Sequence, residues 1–135
     1  EGWDTRKNEA FLRRITEQLQ KAGIRVSIFL DPDTDMVDGA QQIGVDRIEL
    51  YTGDYARQYA RDPERAITDH RKAAERAQEL GVGLNAGHDL NLDNLAFYAK
   101  HIPGLLEVSI GHALVCDALY YGLKNTIQMY LRQLQ

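Results

Sequence analysis

Four times along this chain a helical pattern stops at a glycine, and an apolar run begins within three residues of it. The glycines are Gly23, Gly44, Gly81 and Gly104, and the runs span 24–30, 47–53, 82–86 and 105–110. A strand followed by a helix must cross back over the sheet before it pairs again, so the alternation implies parallel strands with helical crossovers. Phe11, Leu12, Ile15, Leu19 and Ala22 recur at helical spacing and predict a helix over 5–22. Asp31-Pro32 reads as an N-cap followed by a first-turn proline, opening a short helix with Met36, Val37, Ala40 and Ile43 inward. A loop rich in Tyr and Arg then runs to Arg61. Asp62-Pro63 repeats the cap signal ahead of a helix marked by Ala66, Ile67, Ala73, Ala74, Ala77 and Leu80. A short helix over about 92–100 and a long last helix over about 113–134 complete the predicted elements.

Two α/β architectures accommodate four such units: a small doubly wound sheet, or half of a (β/α)8 TIM barrel. Central strands of a doubly wound sheet are apolar on both faces. Here each strand carries a polar residue, namely Ser27, Glu49, Asn85 and Ser109. In a barrel the C-terminal strand ends share one active site, so the polar residues favour the half-barrel. A whole barrel takes about 250 residues. A half-barrel has two open sheet edges, and its inward layer is expected to expose Val26, Ile28 and Leu84.

Composition removes several function classes. A net charge of −4 and a pI near 5.5 give no general field for nucleic acid or anionic membrane. No run is long and apolar enough to span a bilayer, and no signal peptide is visible. One cysteine, Cys116, allows neither an intrachain disulfide nor a CxxC knuckle, which fits a reducing, cytoplasmic setting. Its place in the last helix makes it a packing residue, and no metal site is expected. The first residue is Glu1 rather than Met, so a piece of a longer protein is expected.

The candidate chemistry lies where strands end. Asn85-Ala86-Gly87-His88-Asp89-Leu90 closes the third strand, and Ser109-Ile110-Gly111-His112-Ala113 closes the fourth. In each, a His follows a Gly just before a helix. The glycine lets a ligand come close, and the helix N-terminus offers free N–H groups to an anion. An imidazole titrates near neutrality, which suits His88 to general acid–base work. Gly111 and His112 form a candidate phosphate nest. Glu49 alternates with Arg47 and Tyr51, so its face points toward a polar barrel interior. Two readings of Glu49 stay open: a structural carboxylate satisfied by Arg or Tyr, or a desolvated charge that supports a cationic intermediate. His70 and His101 read as surface residues. The 51–59 segment reads as a lid or an interface.

At these residues the chain resembles the pyridoxine 5′-phosphate synthase family. The resemblance rests on 22–31, 48–56, 84–91 and 109–113, in the family's order and spacing. It implies a (β/α)8 enzyme that condenses 1-deoxy-D-xylulose 5-phosphate with 3-amino-2-oxopropyl phosphate. The products would be pyridoxine 5′-phosphate, inorganic phosphate and water, with no metal or organic cofactor. It implies that His88 is the proton donor and that Glu49 stabilises transition-state charge. Asp89, Gly111 and His112 would contact the amino-ketone phosphate. Some members carry Gly at the place of Asp89, and a carboxylate beside a phosphate is repulsive, so only the Asp89 backbone N–H is expected to face the ligand. The family's first-strand Asn-x-Asp-His segment, a second catalytic His and a catalytic Glu have no counterpart here. The resemblance therefore implies strands five to eight of the barrel, a missing N-terminal half as partner, and a homo-oligomer. Two other readings compete: another sugar-phosphate barrel, which would not need Glu49 and His88 together, and a non-catalytic half-barrel that self-associates or binds a phosphate ligand.

Overall fold

The computed structural model describes residues 1–135. Its strands are β1 (Ser27–Leu30), β2 (Arg47–Tyr51), β3 (Gly83–His88) and β4 (Leu105–Ile110). Its helices are α1 (Glu9–Lys21), α2 (Thr34–Ile43), α3 (Gly53–Tyr59), α4 (Pro63–Leu80), α5 (Leu95–His101), α6 (His112–Tyr121) and α7 (Leu123–Arg132). All three strand pairs are parallel and the sheet order is β1-β2-β3-β4. A doubly wound sheet reverses its strand order part-way. This one does not, and its buried apolar side chains lie on one face only. Ile28, Leu30, Ile48, Leu50, Leu84 and Ala86 sit beneath the helices with Val37, Ile67 and Ala74. The other face carries Phe29, Arg47, Glu49, Tyr51, Asn85 and Gly87 across β1 to β3, and Glu107 and Ser109 on β4. Sequential order with one-sided cover is half of a TIM barrel.

That arrangement corrects the expected inward layer. Val26, Ile28 and Leu84 are buried rather than exposed. The apolar alternate faces the helices and the polar one faces the barrel axis. A register shift between Leu84 and Asn85 carries the polar face onto β4. It pairs Leu84 with Leu105 but Asn85 with Glu107. Without the extra residue Glu107 would oppose Ala86 and point under the helices.

Local chemistry sets the element ends, and several differ from expectation. Asp62 caps α4 by accepting from the Arg65 N–H at 3.0 Å, with Pro63 in the first turn. The equivalent expectation at Asp31 is not met. Asp33 caps α2, accepting from the Asp35 N–H at 2.7 Å. Asp31 instead accepts from the Gly2 N–H at 3.1 Å, while Trp3 N–H donates to the Phe29 carbonyl at 2.8 Å. The first residues thus lie along β1. The predicted last helix is two, because Gly122 at φ 77 and ψ 140 is not helical. The expected 51–59 loop is the helix α3. Tyr55 is buried on it and donates its hydroxyl to the Asn94 carbonyl at 2.7 Å.

Two histidines and the cysteine also depart from their expected places. His70 is buried, 2% exposed, with Nδ1 2.9 Å from the Tyr98 hydroxyl and Nε2 unpartnered. It closes an aromatic cluster with Tyr55 and Tyr98. Burial pushes its pKa down to about 4. His101 is half-buried, stacked on Phe97 at 4.0 Å and bonded through Nδ1 to the Phe97 carbonyl at 2.8 Å. Cys116 is exposed rather than packed, since no residue of α6 is buried. Its sulfur lies 3.6 Å from His112 Nε2, one turn earlier on the same helix.

Candidate active site

The inner face has a floor and a rim. On the floor, Arg47 pairs with Glu107 at 2.7 Å and donates to the Asn85 amide oxygen at 3.1 Å. The Asn85 amide NH2 donates to Glu107 at 3.4 Å, and Arg25 lies 3.5 Å from the same carboxylate. The Arg47 hydrogen bond, reinforced by both arginine charges, holds the Glu107 carboxyl below its ordinary range. This network leaves Glu49 aside. Arg47 is turned to Glu107 and Asn85, and the Tyr51 hydroxyl lies over Gly53 beside Arg57. Neither group satisfies Glu49.

Glu49 stands one layer above, between Phe29 and Asn85 in register. Its Oε1 comes within 3.1 Å of where a Gly87 Cβ would stand, and the Ser109 carbonyl closes on the same point from β4. Only a glycine at 87 lets the carboxylate and the two strands approach this closely. The carboxylate therefore lies directly beneath the end of β3.

His88 forms the rim. It is the one non-glycine residue with positive φ, at 74°. Such a conformation costs about 1–3 kcal/mol unless its surroundings hold it. The side chain is 63% exposed, and Nδ1 lies 3.0 Å from the Asp89 carboxylate. Tyr51 meets the imidazole edge-on at 5.7 Å. With Nδ1 turned to Asp89, Nε2 is left to reach a ligand. The Asp89 N–H is not free as expected: it donates to the buried Thr52 hydroxyl at 3.3 Å. That hydroxyl donates in turn to the Gly87 carbonyl. The Asp89 carboxylate itself is turned to the His88 ring.

Gly111 follows Ile110, the register partner of His88, and His112 opens α6. No side chain caps that helix, its first turn carries no acidic residue, and the space around Gly111 is open. The arrangement supplies free N–H groups next to His88. His88, Asp89, Gly111 and His112 thus lie at or just beyond the C-terminal ends of β3 and β4, and Glu49 lies midway along the neighbouring β2. Elsewhere in the chain no three His, Cys, Asp or Glu side chains converge as metal ligands would. The sequence reading missed Thr52 and the Arg47–Glu107 pair. An Arg and a Glu within the strands of separate units were the available signal for the pair.

Four parallel strands in sequential order, covered by helices on one face, define an α/β barrel protein, a class whose chemistry sits at the C-terminal face. The sequence model of the family described as pyridoxal phosphate biosynthesis protein PdxJ matches residues 1–135, and the chain belongs to that family. It is 54% identical over 134 residues to the pyridoxine 5′-phosphate synthase of Flavobacterium johnsoniae, covering 99% of this chain and 56% of that protein. The Cytophaga hutchinsonii protein of the same name is 58% identical over the same shares. That of Porphyromonas gingivalis is 53% identical, over 98% of this chain and 56% of its own. The chain therefore spans about half the length of the curated relatives it matches.

Proposed function

We propose that this chain is the C-terminal half-barrel, strands five to eight, of a pyridoxine 5′-phosphate synthase. The whole protein would join 1-deoxy-D-xylulose 5-phosphate to 3-amino-2-oxopropyl phosphate, releasing phosphate and water. The observation that carries this reading is the placement of Glu49 directly under the His88 turn, its Oε1 3.1 Å from the Gly87 Cβ position. Condensing an amine with a ketone passes through a cationic nitrogen and expels water. The first needs a fixed negative charge and the second a proton donor. Glu49, unpaired with Arg47, supplies the charge. His88 supplies the proton from Nε2, with Asp89 on Nδ1 steadying the imidazolium. The N-terminus of α6 at Gly111 and His112 holds the amino-ketone phosphate. An N-terminal half would complete the barrel and bring the groups that hold the sugar phosphate. The assembly would be a homo-oligomer in a reducing, cytoplasmic setting. The test is turnover by the full-length protein with the two phosphates alone. Formation of pyridoxine 5′-phosphate, followed by chromatography, is the expected result. Binding of either phosphate without product would leave the non-catalytic reading in place and overturn this one.

A further inference from the structure

The Thr52 hydroxyl takes no part in the chemistry just described, yet it is placed with unusual economy. Thr52 is fully buried at the junction of β2 and α3. It occupies the N-cap position of α3, where a Thr hydroxyl ordinarily accepts from the helix's own N–H groups. Here it makes no capping bond. It reaches across to β3, donating to the Gly87 carbonyl and accepting from the Asp89 N–H. Those two groups belong to the two peptide units flanking the Cα of His88. One hydroxyl holding both fixes φ and ψ of that residue together. The conformation held is the left-handed one, which an imidazole-bearing residue leaves when nothing retains it. The direction of the ring follows from that backbone. Nδ1 meets the carboxylate of Asp89, whose N–H the same hydroxyl binds. The ring edge meets Tyr51, the residue just before Thr52.

We propose that Thr52 is a positioning residue for His88: its hydroxyl clamps the peptides on both sides and aims Nε2 over Glu49. The proposal rests on the reading of His88 as the proton donor, and two independent measurements separate them. In the full-length protein, Thr52→Val keeps the shape and removes both bonds, while Thr52→Ser keeps the hydroxyl. Misplacing a reacting group by about 1 Å costs about 10²-fold in rate. The expected kinetic result is a kcat loss of about that size in Thr52→Val with KM changed by less than about threefold, and recovery in Thr52→Ser. A purely structural Thr52 would lower the melting temperature without that split. The expected crystallographic result is that His88 in Thr52→Val leaves the left-handed region. Should Thr52→Val not fold, Thr52→Cys, whose thiol is a weak donor and acceptor, is held to the same criteria. An unchanged kcat, an equal loss in Thr52→Ser, or an unmoved His88 in the variant crystal would each overturn the proposal. If the wild-type protein makes no pyridoxine 5′-phosphate, the proposed function fails, and the crystal of the variant alone decides the role of Thr52.

Discussion

Glu49 has Oε1 3.1 Å from the Gly87 Cβ position, yet Arg47, two residues back on the same face, is turned to Glu107 and Asn85. A charge left without a partner on the inner face of a barrel strand serves a ligand better than it serves the fold. Glu49→Gln is therefore expected to lower kcat by roughly 10²-fold, with a smaller change in KM, because an amide does not offset a developing positive charge. Steady-state kinetics and a melting curve on the full-length variant check this. Normal kinetics with a lowered melting temperature would make Glu49 structural. His88→Ala is expected to lose about 10²–10⁴-fold in turnover while inorganic phosphate still binds, since the anion nest at Gly111 is separate from the imidazole. A loss under about threefold would remove His88 from proton transfer. Both residues were legible in sequence, His88 because it follows a glycine at a strand end and Glu49 because it sits in a polar alternation with Arg47 and Tyr51. Thr52 was not legible. Its partners are backbone groups 35 and 37 positions away, and no side-chain pattern announces a backbone clamp.

Between elements, the sequence carried the order of the four strands and of the helices between them, since caps and periodicity are local signals, but neither α3 nor the break at Gly122. It marked the inward face of β2 through Arg47, Glu49 and Tyr51 but not those of β1 and β3. Ile28 and Leu84 look equally fit for a barrel axis or a helix layer until the register with Arg47, Glu49 and Asn85 is known. His70 shows the same limit. Its place on the buried side of α4 beside Ala66, Ile67, Ala73 and Ala74 was available from spacing, but a polar residue there reads as surface unless its partner, Tyr98 on α5, is seen. Burial keeps this imidazole neutral, with its pKa pushed down from 6.5 to about 4. The unfolded chain takes up that proton near pH 6.5 and the folded chain only near 4. The folded state therefore binds fewer protons in that window. His70's contribution to stability is fully present above about pH 6.5 and is lost on descending to about pH 4, by roughly 3 kcal/mol in all. Urea titrations of the wild type and His70→Phe at pH 7.5 and pH 4.5 isolate this group from the carboxylates. The difference between the two proteins is expected to shift in favour of His70→Phe at the lower pH. An equal difference at both values would mean that the imidazole takes up its proton over the same pH range in the folded and the unfolded chain.

At the scale of the whole molecule the two halves of the chain are unequally finished. β1 has Trp3 along it and its helix-facing residues Ile28 and Leu30 are buried, whereas β4 has no buried residue and its outer edge pairs with nothing. The helices that follow β4 repeat the imbalance. Leu119 and Tyr120 are 82% and 85% exposed, and Val115, Tyr121, Leu123 and Leu131 are exposed beside them. A groove of about 300 Å³ between β4 and the last two helices is lined by Leu95, Val108, Ile110, Leu114, Ile127 and Tyr130. An open parallel edge next to a continuous apolar surface pairs with another chain when no proper partner covers it. Residues 1–135 on their own are thus expected to self-associate with rising concentration, and the full-length protein to keep one fixed assembly size over the same range. Light scattering across a dilution series reads both. The decisive variant is on the surface: Leu119→Glu with Tyr120→Glu places two charges on the exposed side of α6 and is expected to shift the 1–135 chain toward monomer without unfolding it. A 1–135 chain that stays monomeric at high concentration without these charges would mean that the open edge and the apolar helices are tolerated in water, and the proposed N-terminal half-barrel would lose its main structural argument.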